Sequence, residues 1–310
     1  MKHKFVRVLP AAIALFAIAA AGLVIVRDRH ELSHAVSRLG IAVFVGSELL
    51  AVAAVVVVAL VWRTILGGLN APTRLPEALR VFLVSQLGKY LPGSIWPVVA
   101  QMEFGRRQNI PRRTMLAANV LTLAVTVTVG LVMAAVLLPF SSAGALHRYW
   151  WTLILLPPLL VSLHPKVVPA LLNVALRTLR REPITERLDW RSTVVAIGWG
   201  ALSWLLFGLH LYVIIAALGA TGGVAVCAAI GGLAFAVACG IAFIPAPAGA
   251  GVRDVVLLLT LTPLLGHDDA LAASLASRVL LVLADIVGAG TAALLPRVRS
   301  RPAVVQTEPE

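Results

Sequence analysis

Charge is what this chain has least of: 13% of its 310 residues are charged, about half the share of an ordinary soluble domain. Its longest polar-rich intervals, 63–113 and 164–191, are still interleaved with leucine, valine and proline. Neither holds enough material for an independent soluble core, which excludes a separate catalytic domain. Cysteine is nearly absent. Cys227 and Cys239 fall in one expected helix, about 18 Å apart along its axis, so they cannot bridge each other and read as small packing residues. No glycine-rich nucleotide loop is present, so a nucleotide-driven pump would need another subunit. His30 and His34 share a helix face but lack a third ligand nearby, which argues against a metal site. No cofactor and no nucleic-acid partner are expected.

What the chain has is hydrocarbon, since 60% of its residues are hydrophobic. A bilayer core needs on the order of 20 apolar residues per helical crossing. Runs that meet or approach this fall at about 8–26, 41–62, 114–138, 149–163, 192–218, 224–244 and 270–295. An eighth segment, 252–265, is short and suits a half-helix. The expected fold is therefore all-α, a polytopic transmembrane bundle of seven to eight crossings in one integral domain, 1–295, with a short cytoplasmic tail at 296–310. The basic start and the run from Val8 to Val26 read as an uncleaved signal anchor. Two amphipathic pieces, 75–87 and 165–182, are expected to lie along the membrane surface.

Basic residues set the orientation. Three precede the first run (Lys2, Lys4, Arg7), eight fall in 63–113, six in 164–191 and three in the tail, against Arg27, Arg29, Arg38 and Arg148 in the alternate loops. Lys and Arg are retained on the cytoplasmic side, so both termini should be cytoplasmic in a plasma membrane. An even number of crossings follows, which favours 245–265 as a broken crossing over a turn back.

Two stretches interrupt the hydrocarbon: "GKYLPGSIWP" at 88–97 and "FIPAPAGAGVRD" at 243–254. Irregular backbone at membrane depth survives only when packed in protein or lining a wet cavity. Paired breaks in corresponding parts of a chain point to a transporter's binding site. The alternative is an ordinary interfacial loop anchored by Tyr90 and Trp96. Pro245, Pro247, Gly249 and Gly251 are the structural breaks of the second stretch.

These stretches also carry a resemblance. "KYLPGSIWPVVAQMEFGRRQNIPRR", then "IPAPAGAGVRDVVLLL" and "ALAASLASRVLLVLADIVGA", resemble the lysylphosphatidylglycerol synthase transmembrane region family over about 75–295. That family includes the flippase half of the multiple peptide resistance factors. The resemblance implies lipid handling without aminoacyl transfer, since the carboxy-terminal transfer domain of the fusions is missing. Asp254 stands where the family is expected to carry Glu more often.

Charges inside a bilayer cost several kcal/mol and mark function or a structural pair. The candidates are Glu48, Arg253, Asp254, Arg278 and Asp285. Arg278 and Asp285 share a helix face two turns apart, so each should meet a partner across the bundle, Arg253 and Asp254 being nearest by character. Asp254 also suits a helix start without further purpose. Lys89, Arg106 and Arg107 suit a phosphate or express positive-inside bias alone. Together with Tyr90, Pro92, Gly93, Trp96 and Glu103, these residues form the expected substrate-binding set, Glu48 and Arg107 excepted.

The leading reading is a lipid translocator passing an anionic headgroup, of a phospholipid or a polyprenyl-phosphate-linked lipid, through a basic cleft, with membrane lipids as partners. The second is a glycosyl- or phospho-transferase using a lipid-linked donor, for which Asp28 and Glu31 are the only acids in the first outer loop. A third is a non-transporting scaffold for an envelope-biosynthesis protein.

Overall fold

The computed structural model describes residues 39–90, 96–164, 167, 170, 173, 188–242 and 251–295, without the side chain of Arg107. Among these residues there is no strand. Ten helices follow in order: α1 (Ile41–Gly68), α2 (Leu75–Gln86), α3 (Trp96–Arg107), α4 (Arg112–Leu137), α5 (Ala145–Ile154), α6 (Leu156–Ser162), α7 (Trp190–Ala217), α8 (Gly222–Ala242), α9 (Val252–Leu265) and α10 (His267–Ala293). A 3₁₀ turn, Leu87–Tyr90, extends α2, and another, Leu138–Phe140, extends α4.

Among the described residues five helices are long and apolar enough to cross a bilayer: α1, α4 with its 3₁₀ extension, α7, α8 and α10. They coincide with the runs at 41–62, 114–138, 192–218, 224–244 and 270–295. The run at 8–26 lies outside the described residues. The run at 149–163 behaves differently from expectation. It is divided between α5 and α6, of 10 and 7 residues, because Pro157 and Pro158 follow the join at Leu155, and proline cannot donate to the preceding turn.

Side chains such as Ile41, Leu49, Val255 and Leu259 are strongly exposed on the outside of the bundle, as expected of a surface that faces lipid tails. Lipid is as apolar as leucine, so helices associate through close packing, which small residues allow. The α7–α8 contact follows that rule: a side chain at Gly208 would collide with Ile230. At the start of α7, Asp189 accepts the backbone N–H of Ser192. The Ser192 hydrogen bonds hold its carboxyl below the usual range.

The described helices that flank each interruption form an antiparallel hairpin. In the first, Ser85 of α2 pairs with Gln101 of α3 at 2.7 Å, and further from the bend Glu77 pairs with Gln108 at 2.7 Å. The two helices therefore run antiparallel about residues 91–95. In the second, Gly232 of α8 meets Thr260 and Leu257 of α9, so α9 folds back along α8 about residues 243–250. Helix α9 has 14 residues, about 21 Å, which matches the short helix expected at 252–265.

The amphipathic piece 75–87 was expected on the membrane surface. Instead α2 is docked in protein, against α1 and α10. Its apolar face, Ala78, Phe82 and Leu83, is buried, and Phe82 packs on Trp62 of α1 with ring centroids 5.7 Å apart. A neighbouring helix offers that face closer packing than mobile lipid tails do. Of 165–182, only Val167, Ala170 and Asn173 are described.

Candidate functional site

The two hairpins meet the same helix at their bends. From the first, Lys89 Nζ lies 2.7 Å from Asp285 Oδ2 of α10, and the Tyr90 hydroxyl donates to the same oxygen at 2.5 Å. Lys89 also lies 5.5 Å from the centre of the Tyr90 ring. From the second, Asp254 in the first turn of α9 accepts Arg278 Nη1 of α10 at 3.0 Å. The same Asp254 oxygen takes the N–H of Gly251 at 3.2 Å. Gly251 has φ +87°, a conformation that strains any residue with a side chain, so glycine is needed there.

The expectation for Arg278 thus matches its contact with Asp254. That for Asp285 does not: its hydrogen-bonded partners are Lys89 and Tyr90 rather than Arg253 or Asp254. The reason lies in the hairpin geometry, which sequence spacing does not reveal. Because α2 docks along α10, with Leu83 beside Gly288, the 3₁₀ turn delivers Lys89 and Tyr90 to the level of Asp285.

Arg253 precedes Asp254 in the first turn of α9. It lies in the electrostatic field of Asp254, Tyr90, Arg278 and Asp285. Its Nε and Nη2 are shielded from solvent and have no hydrogen-bond partner among the described residues. An unpaired buried guanidinium donor costs free energy comparable to a lost charged hydrogen bond, about 1.5–3 kcal/mol. The N-terminus of α9 adds a partial positive charge at the same place.

Other expected residues are placed elsewhere. Glu103 and Arg106 form a two-point pair with each other at 2.8 and 2.9 Å, exposed, towards the open end of the first hairpin. Trp96 begins α3 and crowds Gly88 across the bend. Pro92, Gly93, Pro245, Pro247 and Gly249 lie outside the described residues.

One buried polar contact was not anticipated. His210, fully buried in α7, contacts Ser47 of α1 at 2.7 Å through Nδ1 and Ser277 of α10 at 3.1 Å through Nε2. It also lies in the field of Arg253. A histidine in the last third of a 28-residue apolar helix was the available signal, by the same reasoning that singled out the acids and arginines. Three helices are thereby tied together beside the charged cluster.

The arrangement is a polar interior assembled from two hairpin bends and the middle of α10. Lys89, Arg253 and Arg278 supply three cations, and Asp254 and Asp285 pair with two of them. The sequence profile of the lysylphosphatidylglycerol synthase transmembrane region matches residues 9–288. The chain belongs to that family. In this member the match takes in both hairpins and the α10 stretch from Arg278 to Asp285. None of the curated proteins compared with the chain matches it.

Proposed function

We propose that the protein is a membrane lipid translocator, which moves the headgroup of an anionic phospholipid or a polyprenyl-phosphate-linked lipid between leaflets through the cleft between its hairpin bends. The observation that carries this reading is Arg253. Its two shielded, unpartnered nitrogens stand at a helix N-terminus, beside cations already neutralised by Asp254 and Asp285. A phosphate entering there gains charge-assisted hydrogen bonds that offset the loss of its hydration. Guanidinium suits the task, because it is planar and more weakly hydrated than an ammonium. Half-helices whose N-termini face an anionic substrate group are the recurring device of transporter sites. Membership of a lipid-associated transmembrane family supports the same reading. The acyl tails stay in the bilayer while the headgroup follows the cleft.

Within this proposal the protein acts in the plasma membrane with both termini cytoplasmic, as the basic intervals require, and has eight crossings, one of them the broken segment 245–265. It is a transporter and not an enzyme. The test is reconstitution into vesicles carrying fluorescent phosphatidylglycerol or fluorescent phosphatidylcholine. The expected result is faster leaflet exchange for the anionic lipid than in protein-free vesicles, with a smaller gain for the zwitterionic one. Exchange equal to protein-free vesicles for both lipids would end the proposal, and a transferred sugar or phosphate dependent on Asp254 would replace it with transferase chemistry.

A further inference from the structure

One acid beside this cluster has no counterpart. Glu48 of α1 is half-buried, and both of its carboxylate oxygens are shielded from solvent without a hydrogen-bond partner among the described residues. The preceding residue, Ser47, reaches Ser277 of α10 through His210, so this part of α1 faces the middle of α10. Asp285 lies in the electrostatic field of Glu48, and its own Oδ1 is unpartnered, since Lys89 and Tyr90 both use Oδ2. An ionised carboxylate withheld from water beside a second carboxylate is costly, whereas a protonated one carries no charge to desolvate.

The charge whose field reaches Glu48 is that of Asp285; the other titratable groups stand on the neighbouring elements. Helix α7 brings His210, bonded on both ring nitrogens. The first hairpin bend brings Lys89 and Tyr90, α9 brings Arg253 and Asp254, and α10 brings Arg278 and Asp285. On α2, Glu77 and Arg80 lie near the Phe82 contact with Trp62, about 21 Å along α1 from Glu48. On α4, Arg112 and Arg113 lie in the first turn.

The charge balance then depends on Glu48. Three cations and two paired acids leave one positive charge when Glu48 is protonated and none when it is ionised. A headgroup phosphate is therefore accepted into a net positive site only in the protonated state. We propose that Glu48 holds a proton when the anionic headgroup enters, releases it as the headgroup leaves and regains one before the next cycle, so that translocation is coupled to proton movement. The step forms one O–H bond on the carboxylate, with the proton drawn from water and returned to it; no electrons move. The inference rests on the translocator reading and supplies it with an energy source.

Two measurements test it separately. Infrared spectra of the purified protein at neutral pH should show the carbonyl band of a protonated carboxyl, lost in E48Q and kept in E103Q. Absence of the band from the parent overturns the inference whatever the protein transports. In vesicles containing fluorescent phosphatidylglycerol, the parent's exchange rate should fall by up to about tenfold per pH unit once Glu48 titrates, while E48Q stays active and nearly flat with pH and E48D restores the slope. An unchanged slope in E48Q overturns the coupling and leaves the translocator reading intact. A band assigned to Glu48 in a protein that moves no lipid sinks the translocator reading and the coupling with it, and keeps only the proton site.

Discussion

The two hairpins reach α10 by opposite means. The first is held along its length by polar side chains, Ser85 with Gln101 and Glu77 with Gln108, and its bend presents a cation to an acid, Lys89 to Asp285. The second is held by close packing, Gly232 against Thr260 and Leu257, and its bend presents an acid to a cation, Asp254 to Arg278. The charges are reversed, but the outcome at each bend is a neutral pair. What distinguishes the second bend is the neighbouring residue, Arg253, which has no acid of its own. The pairs hold the bends in place, and the surplus charge is what a ligand can use.

That contrast can be broken first at the more buried pair. The side chain of Asp285 is 2% exposed, against 18% for Asp254. D285A takes the acceptor from both the Tyr90 hydroxyl and Lys89, the latter 35% exposed and so partly screened, and should cost about 2–4 kcal/mol of stability in detergent, with partial recovery in the K89D/D285K exchange. D254A should cost less, about 1–2 kcal/mol, because Arg278 is the one side chain that loses its partner there, against two at Asp285. Equal losses would mean that the two bends are anchored alike.

Packing comes next. A side chain at Gly232 would place its Cβ 2.8 Å from Thr260 Cγ2, so G232V should destabilise the second hairpin by about 1–3 kcal/mol, read as a lowered thermal midpoint. The smallest effect is expected in the first hairpin. Q101A removes one neutral hydrogen bond to Ser85 and should cost about 1 kcal/mol. If Q101A proved worse than G232V, the assignment of polar fastening to one hairpin and steric fastening to the other would fail.

Much of this was legible in the sequence, for stated reasons. Long apolar runs specify helices because every backbone group in lipid must pair within its own segment, and five such runs became five long helices. The buried charges pointed to α10, and of the glycines in the two interruptions Gly88 and Gly251 are described, beside Trp96 and at the start of α9. The spacing of Arg278 and Asp285 required partners on other helices, and Asp254 proved to be one of them. What the sequence did not carry was direction. Nothing in "GKYLPGSIWP" states that the chain doubles back, so the sequence alone groups Lys89 with Arg106 and Arg107 and lays 75–87 along the membrane surface. Arg106 reads with Lys89 and Arg107 as a phosphate-binding set, yet three-residue spacing on one helix lets it pair with Glu103. His210 was passed over because a single histidine in an apolar helix forms no motif; its meaning comes from Ser47 and Ser277, 163 and 67 residues away.

The most direct test of the account is the leaflet-exchange rate of fluorescent phosphatidylglycerol in vesicles with matched amounts of parent and R253A protein. Loss of the charged hydrogen bonds offered by Arg253 should slow exchange by about tenfold to a hundredfold, with R253K falling between, while thermal stability stays near that of the parent. Identical exchange by parent and R253A, both above protein-free vesicles, would contradict the claim that the unpaired charge at the second bend serves the headgroup.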